Sequence, residues 1–141
     1  MLVATSTALV ASESRVALKD LPEAVQKTVK KETRTAKLLG VSKEVEKGKT
    51  YYEAGTIADG KSRDLLIDAS DAVVEVEQEV ALDSIPEQAR TAIRQSAGSG
   101  KIVKVESVTK GSVVSYEPAL EKNGKRSEVA IGADGTAKKE D

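Results

Sequence analysis

The sequence predicts an α+β fold built from two tandem repeats, each with one helix packed on a four-stranded antiparallel sheet. The first observation is a repeated segment: "KDLPEAVQKTVK" at residues 19–30 returns as "DSIPEQARTAIR" at residues 83–94. The second is that each segment is followed by short stretches of alternating apolar and polar residues separated by turn residues. A segment that recurs at a fixed spacing indicates one structural unit used twice.

The extent of the match sets the boundaries of the predicted repeats. The offset of 64 positions holds without a gap, and the repeats are residues 16–79 and 80–141. Residues 1–14 come before them and are uncharged up to Glu13, with apolar or small side chains. Such a stretch resembles the later part of a secretory signal peptide, although the basic start is missing. We interpret residues 1–14 as a signal-like remnant or a disordered tail.

Each repeat is predicted to start with a helix that follows a capping signal. Asp20 and Ser84 are N-cap residue types, and each has a glutamate three residues later, which is the spacing of a capping box. A proline lies two residues after each of them, in the first turn, where a missing N–H costs little. Apolar residues then recur at helical spacing, and Gly98 and Gly100 mark the end of the second helix.

Four strands are predicted after each helix. The pairs Asp59-Gly60 and Asn123-Gly124 favour two-residue hairpin turns, because these residue types accept the positive φ that such turns require. Short turns of this kind join antiparallel neighbours. The predicted strands are residues 37–47, 50–58, 62–68 and 72–80 in the first repeat and 101–110, 113–121, 126–132 and 136–141 in the second.

Alternation along these strands separates a buried face from an outer face. On the outer face, Tyr51, Glu53 and Ile57 share one predicted strand, and Glu117 lies on its counterpart. We interpret these four residues as a candidate partner-binding surface, because Tyr51 is an aromatic side chain that the predicted core does not use. An ordinary solvated face is the alternative. The residues predicted to be buried are Leu39, Val41, Tyr52, Ala54, Leu65, Ile67, Val103, Val105, Tyr116, Pro118, Val129 and Ile131.

Composition excludes most catalytic chemistry. The 141 residues include no Cys, His, Trp or Phe, so a thiol nucleophile, a Ser-His-Asp triad and a Cys/His zinc site are impossible. The segment "DASD" at residues 68–71 is more typical of a hairpin turn than of a calcium loop, which needs six or more oxygen ligands. We therefore predict a protein that is not an enzyme and has no cofactor and no metal site.

Charge and hydropathy narrow the class of partner. The chain has 22 basic and 23 acidic side chains, a net charge of −1, and no basic stripe of the kind that binds nucleic acid. It has no apolar run long enough to cross a membrane. Charged residues on the exposed faces would also keep sheet edges from pairing with other chains. These features predict a monomer whose partner is another protein.

A resemblance to a known family lies in a series of short motifs. "LPEAVQKTVKKE", followed by "YYEAG", "DGK" and "LLIDASD", resembles the PepSY-like family of small secreted bacterial domains, which is also called β-lactamase-inhibitor-like. The matching positions are Leu21, Pro22, Tyr52, Glu53, Gly60 and Lys61, and again Ile85, Pro86, Tyr116, Glu117, Gly124, Lys125, Asp134 and Gly135.

The resemblance implies both a fold and a class of function. The fold is a helix with a four-stranded sheet, in tandem, exported to the periplasm or beyond it. The function is that of a non-enzymatic protein-binding module, such as an inhibitor or regulator of a secreted enzyme, for example a protease. No catalytic residue comes with the resemblance. A structural or stress-related envelope protein without a specific ligand is the alternative.

Overall fold

The structure, a computed structural model, describes residues 12–138. Within that span the chain forms nine strands, two α-helices and two one-turn 3-10 helices. The strands are β1 (Ser12–Val16), β2 (Lys37–Glu46), β3 (Lys49–Ala58), β4 (Lys61–Asp68), β5 (Val73–Val80), β6 (Lys101–Lys110), β7 (Val113–Lys122), β8 (Lys125–Glu128) and β9 (Ile131–Gly132). The helices are α1 (Glu23–Glu32) and α2 (Glu87–Ala97).

The predicted fold class, two tandem repeats of one helix on four strands, is wrong. The nine strands of the described span belong to one antiparallel sheet, in which β1 to β8 follow one another in chain order and β9 pairs with β7. A separate four-stranded sheet would leave unpaired backbone groups along each of its edges, and a continuous sheet satisfies more of them. By its internal contacts the chain divides into unit 1, up to Glu77, and unit 2, from Gln78.

Two predicted segments lie partly outside the described residues. Of the tail predicted at residues 1–14, residues 12–14 belong to β1, which pairs with β2, and the rest lies outside the description. Of the strand predicted at residues 136–141, Ala137 forms a single bridge with Ile131, and residues 139–141 lie outside the description.

Unit 1 buries one face of its sheet against α1. Val25 and Val29 lie one turn apart on the helix and are 1% and 0% exposed. We call the sheet face that packs on them the inner face, and the opposite one the outer face. The core cluster consists of Leu21, Val25, Val29, Val41, Tyr52, Ala54, Leu65 and Ile67. The five residues that the strands supply to it are among those predicted to be buried.

One predicted core residue, Leu39, is 52% exposed. A β-bulge between Leu38 and Gly40 inserts an extra residue into β2, and an extra residue reverses which face the following side chains occupy. Leu38 therefore packs against the core instead of Leu39. The same irregularity follows Ile102 in β6, so Ile102 packs against the core of unit 2 and the prediction for Val103 is also wrong.

Unit 2 packs its sheet on α2 through a second cluster. Its buried members are Ile85, Ala89, Ile93, Val105 and Ile131, and partly buried neighbours include Ile102, Tyr116 and Val129. Val105, Tyr116, Val129 and Ile131 are thus placed on the core side, as predicted.

The strand predicted at residues 126–132 is divided into β8 and β9. Pro118 of β7 lies opposite this break, since the β7 ladder with β8 ends at Ala119 and the ladder with β9 begins at Tyr116. Proline has no N–H to donate to a ladder. Its position accounts for the interruption.

The predicted capping boxes do not form. Asp20 and Ser84 end the one-turn helices Leu18–Asp20 and Leu82–Ser84, and the Ser84 hydroxyl donates to the Ala81 carbonyl at 2.6 Å. The N-cap residues of the α-helices are the prolines that follow, and neither helix has a side-chain cap hydrogen bond. Asp20 and Ser84 therefore belong to the 3-10 turn that precedes each α-helix and do not cap the α-helix itself.

The hairpin turns are confirmed by their backbone angles. At Asp59 and Gly60 φ is 51° and 75°, and at Asn123 and Gly124 it is 53° and 72°. The turn between β2 and β3 has the same form, with φ of 48° at Lys47 and glycine after it. That turn was not predicted, because lysine is uncommon at positive φ.

Candidate functional site

The outer face of unit 1 carries three of the four residues predicted to bind a partner. Tyr51, Glu53 and Ile57 alternate along β3 with Tyr52 and Ala54, which belong to the core cluster. The three side chains therefore lie on the face of the sheet away from α1. Tyr51 and Ile57 are half-buried, and Glu53 is buried.

The fourth residue, Glu117, lies on β7 of unit 2. It is half-buried and directly opposite Glu106 of β6, on the sheet face away from α2. Glu106 makes an ion pair with Lys104, which precedes it on the same face of β6. Glu117 thus belongs to a surface with its own mixed charges, and the candidate site of unit 1 consists of β3 and its neighbouring strands.

Two acidic residues that the sequence analysis did not single out join Glu53 on the outer face of unit 1. Glu44 of β2 lies directly opposite Tyr51, and Asp64 of β4 lies directly opposite Gly55. Both are diagonal neighbours of Glu53 across the sheet. Glu44, Glu53 and Asp64 are 8%, 9% and 8% exposed. Acidic side chains are rarely buried to this degree unless they are paired, and we call these three the acidic cluster.

The surroundings of Glu53 raise its pKa to about 9, from an ordinary value of 4.5. Burial is the largest cause, because it penalises the charged carboxylate. A side-chain hydrogen bond with Glu44 is the next, and the negative charges of Glu44, Asp64 and Glu77 act in the same direction. At neutral pH Glu53 is therefore a neutral acid that donates a hydrogen bond.

A cation lies on the same face of unit 1. Arg15 of β1 is directly opposite Ser42, and its guanidinium carbon is 3.6 Å from the position that a Cβ on Gly40 would occupy. Gly40 pairs with Gly55, which pairs with Asp64. The guanidinium thus lies over Gly40, which is in register with Gly55 and with Asp64 of the acidic cluster. The two glycines have no side chains, so they leave space for long side chains above the sheet.

The "DASD" segment is a turn. The Asp68 Oδ1 atom accepts hydrogen bonds from the Ser70 N–H at 2.9 Å, the Ser70 hydroxyl at 2.6 Å and the Ala72 N–H at 3.1 Å. These hydrogen bonds lower the pKa of Asp68, and the one from the Ser70 hydroxyl has the largest effect. Across residues 12–138, no group of three or more His, Cys, Asp or Glu side chains is arranged to hold a metal ion.

Solved structures from Bacteroides species share this fold. A DUF2874 family protein from Bacteroides uniformis is 18% identical, with a TM-score of 0.67 over 83% of this chain and 86% of its own. A BLIP-like protein from Bacteroides fragilis is 24% identical, with a TM-score of 0.61 over 86% of both chains. A protein described as periplasmic, from Bacteroides eggerthii, is 19% identical, with a TM-score of 0.68 over 82% of this chain and 84% of its own.

These likenesses show the fold of the chain. No protein-family model and no curated protein matches it. One of the three neighbours is named BLIP-like, which fits the β-lactamase-inhibitor-like resemblance, and none of the three carries the PepSY name. In the part of the chain that the structure describes, neither helix has the length and apolar character that a membrane crossing requires.

Proposed function

We propose that this chain is a protein-binding module of the periplasm without catalytic activity, and that the outer face of unit 1 contacts its partner. The observation that supports this most is the fold, shared with the BLIP-like protein over 86% of both chains. BLIP denotes a β-lactamase inhibitor protein, which acts by binding another protein. The neighbour described as periplasmic, and the signal-like character of residues 1–14, support the compartment.

The contact surface is proposed around Tyr51. Aromatic side chains are enriched among the residues that dominate binding energy, and Tyr51 is an aromatic residue of unit 1 that the core cluster does not include. Ile57 adds an apolar side chain on the same face of the same strand. Inhibition or regulation of a secreted enzyme, such as a protease, is the specific form of binding that we propose.

Affinity capture tests the proposal. Immobilised chain is exposed to a periplasmic extract of the source organism, and an excess of free, untagged chain is then added. We expect one protein or a small set to be retained, and to be displaced by the free chain because the same surface binds it. If the free chain displaces none of the retained proteins, the result would favour the alternative, an envelope protein without a specific ligand.

The absence of catalysis is a second prediction. Glu44 and Glu53 are in hydrogen-bonding contact, closer than the roughly 5–9.5 Å that separates the two carboxyls of glycosidases. We expect no turnover of glycoside, ester or peptide substrates by purified chain. Peptides are assayed from pH 3 to pH 7, because carboxyls that share a proton cleave peptides in aspartic proteases. Turnover that Glu53→Gln abolishes would overturn the non-enzymatic assignment.

A further inference from the structure

We propose that unit 1 contains a pH-sensitive element, in which Glu44 and Glu53 share one proton that the folded chain holds more tightly than the unfolded chain, so that the folding of unit 1 weakens as the pH rises through neutrality. The inference does not depend on the proposed function, because it concerns the stability of the sheet. It starts from two acidic side chains, each less than a tenth exposed, that are diagonal neighbours across the β2–β3 ladder, with their carboxyls in hydrogen-bonding contact. Two carboxylates cannot hydrogen-bond to each other, since neither has a proton to donate.

Burial makes the proton necessary. Glu44 and Glu53 are each more than nine-tenths buried on adjacent strands. Two negative charges held together away from water repel each other strongly, so one of the pair stays protonated. Loss of the proton would replace the hydrogen bond by this repulsion in the middle of the β2–β3 ladder.

The charged neighbours of the pair favour retention of the proton. The charges that act on Glu53 from other strands are those of Glu44, Asp64 and Glu77, and all three are negative. Asp64 and Glu77 take part in further polar interactions of their own. The remaining charged groups near the pair in the sheet register are Glu13 opposite Glu44, Arg15 opposite Ser42, Asp68 opposite Tyr51, and the facing residues Glu46 and Lys49. Arg15 and Lys49 are the cations among them; the Arg15 guanidinium lies over Gly40, and Lys49 is exposed to solvent.

Unit 2 lacks this arrangement. The residue 64 positions after Glu44 is Val108, which is 2% exposed, and the residue 64 positions after Glu53 is Glu117. Lys104 pairs with Glu106 on that face. An apolar side chain, Val108, therefore takes the place of one member of the buried carboxyl pair, so unit 2 is an internal control for the pH response.

The sign of the effect follows from proton binding. In the unfolded chain Glu53 loses its proton near pH 4.5, whereas in the folded chain it keeps the proton to about pH 9. Between these values the folded state binds more protons, so the contribution of the pair to the stability of unit 1 is fully present below pH 4.5 and is lost as the pH rises to about 9. The fall is at most tenfold in the folding equilibrium constant per pH unit. The chain has no His and no Cys, whose ordinary pKa values lie between about 6 and 9.

Two measurements test the proposal. In the first, the side-chain ¹³C signal of Glu53 is followed by NMR from pH 4 to pH 10 in the wild-type chain. We expect its titration midpoint above pH 7. A midpoint below pH 6 would show that Glu53 is ionised at neutral pH and would overturn the proposal, whether or not any variant folds.

In the second, urea unfolding is followed at pH 6, 7, 8 and 9 through the NMR signals of Leu65 in unit 1 and Ile93 in unit 2. We expect the equilibrium constant for unit 1 to fall with pH in the wild type and in Glu117→Gln, and to be unchanged by pH in Glu53→Gln. The equilibrium constant for the folding of unit 2 should not show a fall with pH that Glu53→Gln removes. Equal pH dependence of unit 1 in the wild type and in Glu53→Gln would contradict the shared proton.

Discussion

Replacing Leu65 by alanine is expected to lower the free energy of unfolding of unit 1 by about 2–5 kcal/mol. Leu65 is 0% exposed and belongs to the cluster that packs on α1. Alanine would remove buried apolar surface and leave a cavity, since neighbours on the sheet and the helix cannot close around it completely. Urea unfolding followed by circular dichroism measures the change.

Leu39→Ala is the matched control for this prediction. Both are leucines on strands of unit 1, but Leu39 is 52% exposed because of the bulge in β2. Its truncation should change the stability by less than about 0.5 kcal/mol. A loss for Leu39→Ala as large as that for Leu65→Ala would mean that the bulge is absent and that simple alternation continues along β2.

Gly135→Ala is expected to destabilise unit 2 by about 2–5 kcal/mol, from two independent causes. Gly135 has a φ of +85°, a conformation that alanine adopts only at a cost. A Cβ at this position would also lie 2.7 Å from the carbonyl oxygen of Gln88 in α2. The obstacle is backbone of the helix, so it cannot rotate away as a side chain could.

Gly124→Ala separates the two causes. Gly124 lies in the same unit with a φ of +72°, and a Cβ there would meet nothing within 4 Å. We expect this variant to lose only the conformational part, about 1–2 kcal/mol. Thermal or urea unfolding of the two variants gives the difference, and equal losses would show that α2 does not approach the loop at Gly135 so closely.

Local features of the fold were readable from the sequence where one residue type decides a conformation. The turns at Asp59-Gly60 and Asn123-Gly124 were found because asparagine, aspartate and glycine accept positive φ. The number of sheets was not readable in this way. Which strand edges pair depends on contacts between segments far apart in the chain, and β5 contains neither proline nor lysine, the residue types that mark an isolated edge most clearly.

The bulges and the helix starts show a second limit. Alternation assigns faces only while the register is unbroken, and neither Leu39 nor Val103 carries a bulge signal such as glycine at the extra position. Asp20 and Ser84 are polar residues of the N-cap type, and each precedes an α-helix as predicted. The same residues are equally compatible with a one-turn helix that ends on them, and such a helix forms at Leu18–Asp20 and at Leu82–Ser84.

The candidate site was only partly readable. Alternation along β3 gave the side of the sheet for Tyr51, Glu53 and Ile57. The turn at Asp59-Gly60 would also have given Asp64, because a two-residue turn fixes the register and so pairs Gly55 with Asp64. Glu44 required the turn that begins at Lys47, which carries no strong turn signal. The raised pKa of Glu53 depends on residues of four strands, β2 to β5, so no single segment of the sequence predicts it.

The central claim is that the outer face of unit 1 binds a partner protein, and the affinity of the captured protein for two variants tests it most directly. Tyr51→Ala removes the proposed anchor from the outer face. Lys27→Ala changes α1, on the other side of the sheet of unit 1, where the Lys27 side chain is 75% exposed and pairs with Glu23. Neither residue belongs to the core cluster, so both variants should melt within a few degrees of the wild type.

The measurement is the dissociation constant of the captured protein for the wild type, Tyr51→Ala and Lys27→Ala. We predict that Tyr51→Ala raises it roughly 5- to 30-fold, which corresponds to about 1–2 kcal/mol for a modest anchor, and that Lys27→Ala leaves it unchanged. A Tyr51→Ala chain that is folded and binds as tightly as the wild type, or a Lys27→Ala chain that alone loses binding, would contradict the claim.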